Sequence, residues 1–342
     1  MKKASRRENG KMEEQDTQAE GQRQLLNDQF RRPERNLWKD AFTQLIANRL
    51  AMGSIVIIFI VFFIAAFGPF LTPYDHLYQD WDNIAQPPTR LHPLGTDELG
   101  RDMLSRILAG GRTAIMVAVV TTTMAFVLGV LIGALGAYMG GYVDALVVRT
   151  IDFLQAFPHI LLAVFLAATL KPTFIRFGDA LVQQYGIRAL GNTLYLDYLL
   201  IFAVLGITGW PNLARLVRGQ VLSLRATEYV SSAQVVGAKE WRIIVHHLVP
   251  NALGPVIVSL SASFGGAMLT EASLSYLGLG IQPPGASWGM MIAENLVQWR
   301  YRPHLVVMPG MVLFVTVLAF TFLGDGLNDA LNPRMLTPSG QK

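Results

Sequence analysis

Apolar and polar segments alternate along the whole chain, and the apolar ones form six continuous blocks. The blocks cover residues 50–71, 114–138, 158–170, 198–216, 253–277 and 305–323. Between them we expect a connector over residues 73–112, a short turn over residues 140–157 and an outer loop over residues 171–197, and Pro211 is expected to interrupt the fourth block. Most of them approach the roughly 20 residues that an α-helix needs to cross a hydrocarbon core of ~30 Å. The runs lack the strict alternation of a membrane-spanning strand, so a β-barrel is disfavoured. The pattern predicts an all-α, polytopic membrane protein with about six transmembrane helices.

The N-terminal stretch differs in kind from the loops between the blocks. Residues 1–36 are charged, rich in glutamine and almost without aromatic side chains, which predicts a disordered cytoplasmic tail. Apolar residues then recur at helical spacing, at Leu37, Trp38, Ala41, Phe42, Leu45 and Ile46. This spacing indicates an amphipathic interfacial helix over residues 37–49, and it equally suits the first turns of the first span. We expect a membrane domain over residues 50–336 and a short C-terminal tail over residues 337–342.

The composition narrows the class of protein. Of the 342 residues, 52% are hydrophobic and 15% are charged, which is too apolar for an ordinary soluble domain. The chain has no cysteine, which excludes disulfides and thiolate metal sites. Lys and Arg concentrate in the tail and the connecting loops, and the net charge of +4 is modest. This distribution suits a protein embedded in membrane lipid and does not suit nucleic-acid binding.

The basic residues also predict an orientation in the plasma or inner membrane. Positive charges occur in the N-terminal tail and around the loop that follows the fourth block: Arg215, Arg218, Arg225, Lys239 and Arg242. Because cytoplasmic loops carry an excess of Lys and Arg, this loop and the N-terminus are predicted to be cytoplasmic. The even number of spans then places the C-terminus on the same side.

The loop after the fourth block contains a polar, helix-prone segment at residues 228–250. We expect two short helices, 228–236 and 239–248, hinged at Gly237, with Pro250 closing the second. The small residues Ser231, Ser232 and Ala233 would allow another protein to approach the backbone closely. A polar knob held between two spans is suited to passing motion from a partner into the bilayer.

This segment resembles the cytoplasmic coupling loop of ABC-importer permeases. The matching positions are Ser231, Ser232, Ala233, Gly237 and the run 247–250, with serines in place of the usual leading Glu and first Ala. Four further segments, 94–107, 209–224, 271–289 and 324–334, resemble the peptide/nickel branch of these importers, in its C-type permease subunit. The last segment has Asn328 and Asn332 where that branch usually carries Arg and Asp.

The resemblance implies a type I importer fold, with a coupling loop over residues 217–250 that transmits motion from an ATPase. It implies a second homologous permease subunit, two cytoplasmic ATP-binding subunits and an extracellular substrate-binding protein as partners. The substrate class it implies is di- and oligopeptides, with nickel, glutathione and other small solutes as alternatives. It assigns ATPase coupling to Ser231, Ser232, Ala233, Val236, Gly237, Ala238, Lys239, Trp241, Arg242 and Pro250.

Catalytic and cofactor motifs are not found in the sequence. It contains no phosphate-binding G-x-x-x-x-G-K-[ST] loop, so ATP hydrolysis is expected on separate subunits and no cofactor is expected here. The adjacent His246 and His247 would point about 100° apart on a helix, which does not suit a shared metal. Asp97 and Asp102 suggest a carboxylate pair, but the nearby Gly95 and Gly100 favour a structural turn. The sequence therefore predicts that this chain is not itself an enzyme.

Polar residues within or beside the spans are candidates for the translocation path: Asp152, Ser259, Ser263 and Glu271. An ionised side chain inside a membrane is costly unless it faces a partner or a wet cavity. The alternative for Glu271 is an ion pair or helix-end bond, and the alternative for the serines is close helix packing. A secondary transporter driven by an ion gradient would show paired intramembrane carboxylates and an internal repeat, and neither is clear.

Overall fold

The computed structural model describes residues 37–186 and 193–331. Within these ranges the chain forms helices α1 to α11 joined by short turns and one longer connector. Their bounds are α1 Leu37–Ala47, α2 Arg49–Leu71, α3 Met103–Met139, α4 Gly141–Gln155, α5 His159–Tyr185, α6 Thr193–Arg225, α7 Glu228–Val235, α8 Glu240–Ile243, α9 Val249–Tyr276, α10 Trp288–Asn295 and α11 His304–Leu331. Outside the described residues lie the predicted tails at residues 1–36 and 337–342, and residues 187–192 between α5 and α6.

Six helices in the described ranges are long and apolar enough to cross a membrane. They are α2, α3, α5, α6, α11 and the continuous run Glu240–Tyr276, which contains α8 and α9. This confirms the predicted all-α, polytopic class with six spans.

A break at Asn48 separates α1 from the first span. The Asn48 side chain accepts hydrogen bonds from the backbone N–H groups of Leu50 and Ala51, at 3.0 and 3.2 Å, and so caps α2. Helix α1 begins in an N-terminal unit that ends at Gln44, whereas the rest of the chain, from Leu45, forms the main unit.

Helix α3 begins eleven residues before the predicted second span, at Met103 instead of Ala114. The start is fixed by Asp102, whose carboxylate accepts a hydrogen bond from the backbone N–H of Ser105 at 2.8 Å. Met103 and Ile107 are buried in the core, so the first turns of α3 are held by packing as well as by the cap. The predicted connector up to Arg112 was therefore too long.

The prediction for the segment before the third span is also wrong. Residues 140–157 were predicted to form a turn, but most of them form the helix α4. Gly140 and Gly141 both adopt positive φ, at 67° and 54°, and this turn folds α4 back against α3. Val147 of α4 then lies beside Gly136 of α3. Helix α5 continues past Leu170 to Tyr185, so most of the predicted outer loop 171–197 is helical.

The bundle is centred on the close contact between α3 and α6. A side chain on Gly133 would come within 2.5 Å of the Ala214 carbonyl oxygen, and one on Gly129 within 2.7 Å of the Leu213 Cβ. Small residues spaced by four allow two helix backbones to approach this closely. Helix α6 passes through Pro211 without interruption, contrary to the prediction of a broken fourth span.

The two ends of the bundle differ in structure. We call the end that holds Gly140, Arg225 and the 228–248 segment the lower end, and the opposite end the upper end. At the upper end the first turns of α3 pack against α10, where the Trp288 indole N–H donates to the Ile107 carbonyl at 2.9 Å.

Four charged residues bind this upper end together. Arg101 and Arg106 both donate to the Asp97 carboxylate, at 2.7 and 2.6 Å, and both also donate to Glu294 of α10, at 3.1 and 2.7 Å. The neighbouring Asp102 caps α3 and lies 2.9 Å from Nδ1 of His92. These carboxylates are engaged in ion pairs and caps, which favours the structural interpretation over acid–base chemistry.

Candidate functional site

The 228–248 segment is anchored to the lower end by one apolar face. Its buried side chains, Val230, Ile243, Ile244 and Leu248, belong to one cluster with Tyr138 of α3 and Val217 and Val221 of α6. Val230 and Leu248 are completely buried. Because both halves of the segment are held by this cluster, the segment is fixed against the membrane helices that precede and follow it.

The opposite face of the segment exposes apolar side chains. Val235 and Val236 are each 87% exposed and Trp241 is 61% exposed. Exposed polar and basic residues lie around them, namely Ser231, Ser232, Lys239 and Arg242, whereas Ala233 and Ala238 are half-buried. Apolar groups that are rimmed by polar ones are typical of a surface that binds another protein. We call this face the exposed knob.

Gly237 makes the turn between the two halves of the segment, as the sequence predicted. Its φ is +83°, in the region that favours glycine, and the N–H of Ala238 bonds to the Ala233 carbonyl at 3.0 Å. Within the described chain, a Cβ at Gly237 would meet no atom within 4 Å. The glycine is therefore required by backbone conformation and not by lack of space.

The predicted role of Pro250 was wrong, because this residue does not close a helix. The chain passes from α8 through a π-helical turn, Ile244–Leu248, directly into α9, and Pro250 lies in the first turn of α9. Proline has no backbone N–H to donate. It is tolerated there because the preceding π-helical turn does not need a hydrogen bond from this position. The exposed knob and the fifth span are consequently parts of one helical run.

Polar pairs connect α4 with α6 in the lower half of the bundle. Arg218 donates two hydrogen bonds to Asp144, at 2.6 and 2.7 Å, and this contact lowers the pKa of the Asp144 carboxyl. Arg215 pairs with Asp152 at 2.6 Å in a more exposed position. The amides of Gln155 and Asn212 form the next contact, at 2.6 Å.

The residues that were predicted to line the translocation path lie in different surroundings. Asp152 is paired and exposed, whereas Glu271 is 1% exposed and accepts a hydrogen bond from the Ser275 hydroxyl at 2.7 Å. The Ser275 oxygen in turn accepts from the backbone N–H of Ile281, which favours the helix-end alternative for Glu271. Ser259 and Ser263 are half-buried on α9, and the Ser263 hydroxyl donates to the Ser259 carbonyl at 2.8 Å.

A cavity of about 250 Å³ opens between α3, α6 and α9, beside the start of α5. Ser263 lines this cavity, whereas Glu271, Ser259 and Asp152 do not. Its other polar lining groups include the hydroxyl of Thr122, the ring of His159 and the amide of Asn212. The cavity thus combines one predicted path residue with three that the sequence did not identify.

The residues of the exposed knob and of the cavity differ in how well their roles could be predicted from the sequence. Val235 belongs to the exposed knob but was missed, although adjacent apolar residues in a polar loop are a usable signal. Thr122, His159 and Asn212 carry no local signal, because each becomes a lining residue only through the packing of separate helices.

Two models of known protein families match this chain. The model described as "Binding-protein-dependent transport system inner membrane component" matches residues 125–337, which include the 228–248 segment and the fifth and sixth spans. The model described as "N-terminal TM domain of oligopeptide transport permease C" matches residues 36–88.

Individual relatives cover most of the chain. The oligopeptide transport system permease protein OppC of Bacillus subtilis is 36% identical over 88% of this chain and 90% of the relative. The dipeptide transport system permease protein DppC of the same organism is 36% identical over 90% of this chain and 89% of its own. The glutathione transport system permease protein GsiD of Pectobacterium atrosepticum is 34% identical over 88% and 92%.

These matches agree with the six spans, with the anchored segment between the fourth and fifth spans, and with the resemblance found in the sequence motifs. The chain belongs to the family of binding-protein-dependent transport system inner membrane components, as a multi-pass permease subunit.

Proposed function

We propose that this chain is a permease subunit of an ATP-driven importer of di- and oligopeptides and forms half of the translocation pathway. The observation that carries the proposal is the exposed knob, an apolar surface fixed to the membrane helices of a chain whose relatives are peptide permeases. A relative named for glutathione, itself a small peptide, belongs to the same substrate class.

The exposed knob is suited to receive motion from an ATPase and to pass it into the membrane. Trp241 stands near the start of the Glu240–Tyr276 run, and Ser263 and Gly266 on the same run line the cavity. Because the run is helical throughout, a displacement of Trp241 by a partner moves the wall of the cavity. This arrangement supports alternating access, in which ATP-driven closure of the ATPases changes the face on which the bundle opens.

The remaining partners follow from the same proposal. A second, homologous permease subunit completes the pathway, two cytoplasmic subunits bind and hydrolyse ATP, and an extracellular binding protein delivers the peptide. Both termini and the 228–248 segment face the cytoplasm, in agreement with the basic residues around the segment. ATP hydrolysis belongs to the partner subunits and not to this chain.

The proposal is tested by charge substitution on the exposed knob. Val236→Asp should reduce co-purification of the ATPases and ATP-driven uptake of a labelled tripeptide together, because a carboxylate would be placed in an apolar interface. Val297→Asp is the matched control, since Val297 is 88% exposed but lies beside α10 at the upper end. It should leave both measurements near the wild-type values.

Two outcomes would contradict the proposal. The first is full ATPase binding in the Val236→Asp complex, which would remove the exposed knob from the interface. The second is peptide uptake by the wild-type complex that depends on an ion gradient and not on ATP, which would instead indicate a secondary transporter.

A further inference from the structure

We propose that the cavity between α3, α6 and α9 binds the main-chain amide groups of the peptide in transit, with the Thr122 hydroxyl as a direct contact. This inference rests on the proposed function and adds to it a binding site and the part of the substrate that the site recognises.

The cavity lies away from both ends of α3, α6 and α9, and the first residue of α5, His159, also lines it. Thr122 lies near the middle of α3, and Gly209 and Gly266 lie near the middle of α6 and α9. Polar groups at the centre of a membrane are costly unless they face one another or a wet space. A polar cavity at this depth is therefore expected where a polar solute crosses.

Thr122 differs from the other hydroxyl residues nearby. Most of these donate to a carbonyl one turn back in their own helix, as Thr121 does to Val117 at 2.8 Å and Thr270 does to Gly266 at 2.8 Å. Among the described residues, the Thr122 hydroxyl has no hydrogen-bond partner, although the residue is 4% exposed. A buried hydroxyl without a partner is unfavourable. Its oxygen has almost no accessible surface in this rotamer, so a rotation about the Cα–Cβ bond of Thr122 would present it to a ligand that fills the cavity.

The space beside this hydroxyl is created by residues without large side chains. At Gly266 an added Cβ would meet no described atom within 4 Å, and at Gly209 the nearest atom would be the Ala125 Cβ at 3.4 Å. The volume of about 250 Å³ exceeds several-fold the roughly 30 Å³ that one water occupies. The cavity can therefore take a short length of extended peptide.

The lining favours amide groups over charged groups. Its polar members in the described chain are hydroxyls, the Asn212 amide and the His159 ring, and it contains no carboxylate, Lys or Arg. Hydroxyl and amide groups both donate and accept hydrogen bonds, as peptide N–H and C=O groups require. Main-chain amides are common to all peptides, so such a lining would accept peptides that differ in their side chains.

The test compares Thr122→Val with Thr208→Val in the complete transporter reconstituted in liposomes. Thr208 is equally buried and lies in a span, but its hydroxyl is bonded to the Val204 carbonyl at 3.0 Å and it does not line the cavity. We expect Thr122→Val to lower uptake of trialanine at limiting concentration by roughly five- to tenfold, the loss of one hydrogen bond. Thr208→Val should stay within about twofold, and Thr122→Ser should restore uptake.

A main-chain analogue separates binding from a packing defect. Trialanine with its central amide replaced by an ester lacks one N–H donor, so the wild-type complex should prefer the amide. That preference should shrink toward equality in Thr122→Val. Gly266→Leu, which fills the cavity, should abolish uptake. Gly254→Leu should not, because Gly254 is on the same helix but does not line the cavity, and an added Cβ there would meet no described atom within 4 Å.

Equal uptake by the Thr122→Val and Thr208→Val complexes, or an unchanged amide preference in Thr122→Val, would overturn the inference and leave the cavity as a site for water only. Uptake by Gly266→Leu at the wild-type rate would overturn it as well. A wild-type complex that imports no peptide with ATP would instead contradict the proposed function itself.

Discussion

The residue at position 237 must be glycine because of its backbone conformation and not because of close packing. Its positive φ makes the turn that presents the exposed knob, yet the described chain leaves room for a side chain there. A substitution therefore strains only the local backbone, and the buried cluster that anchors Val230 and Ile243 remains available to hold the fold.

We expect Gly237→Val to leave membrane levels and permease pairing near normal and to reduce uptake and substrate-stimulated ATP hydrolysis together. Gly237→Ala should be milder, at about 1–2 kcal/mol of local strain, and Gly237→Asn milder still, because Asn tolerates positive φ. Gly186→Val is the control, since Gly186 has φ +66° and no described atom within 4 Å of an added Cβ, but it follows α5 at the upper end. A Gly237→Val complex with full ATP-driven uptake would rule out coupling through this turn.

At the scale of elements, α4 is held to α6 by two ion pairs of different quality. The Asp144–Arg218 pair is bidentate and about three-quarters buried, whereas the Asp152–Arg215 pair is more than half exposed. Partly buried, bidentate pairs hold their geometry, and exposed pairs contribute little because water and salt screen them. The first pair should therefore dominate the attachment of α4.

We expect Asp144→Asn to lower the apparent Tm of the purified protein by roughly 2–4 °C at pH 7, and Asp152→Asn to lower it by less. The hydrogen bonds from Arg218 lower the pKa of Asp144, so this stabilisation is fully present above the ordinary carboxyl range. This stabilisation is lost as the pH falls through the lowered pKa of Asp144. The apparent Tm values of the wild-type protein and of Asp144→Asn should then become equal. Equal melting of Asp144→Asn and wild type at pH 7 would contradict this assignment.

The sequence predicted the number and kind of spans but not their ends, for reasons visible in particular residues. Arg106 and Lys171 looked like loop residues, yet Arg106 is 2% exposed and paired with Asp97 and Glu294, and Lys171 bonds to the Gly278 carbonyl at 3.2 Å. A partner 188 positions away leaves no local trace. Gly237 was predictable because turn chemistry is local, and Thr122 was not, because an unpaired hydroxyl is defined only by the folded surroundings.

At the scale of the whole molecule, the orientation in the membrane is the property that all proposed contacts require. The chain has no cysteine, so single cysteines report their own positions. We expect a membrane-impermeant thiol reagent to label Gln183→Cys in intact cells and to spare Ser5→Cys and Ser231→Cys until the cells are opened. Gln183 and Ser231 are both exposed side chains, so differences in labelling report sidedness and not burial. Labelling of Ser231→Cys from outside would reverse the topology.

The charged cluster at the upper end has a consequence for biogenesis. Asp97 supplies one negative charge against the two guanidinium groups of Arg101 and Arg106, and the second counter-charge comes from Glu294. During synthesis the nascent chain therefore lacks the second ion-pair partner of Arg101 and Arg106 until α10 has emerged. The two guanidinium groups reach their native pairing only when most of the chain has been made, so we expect a chain truncated before Glu294 to leave the start of α3 less well held.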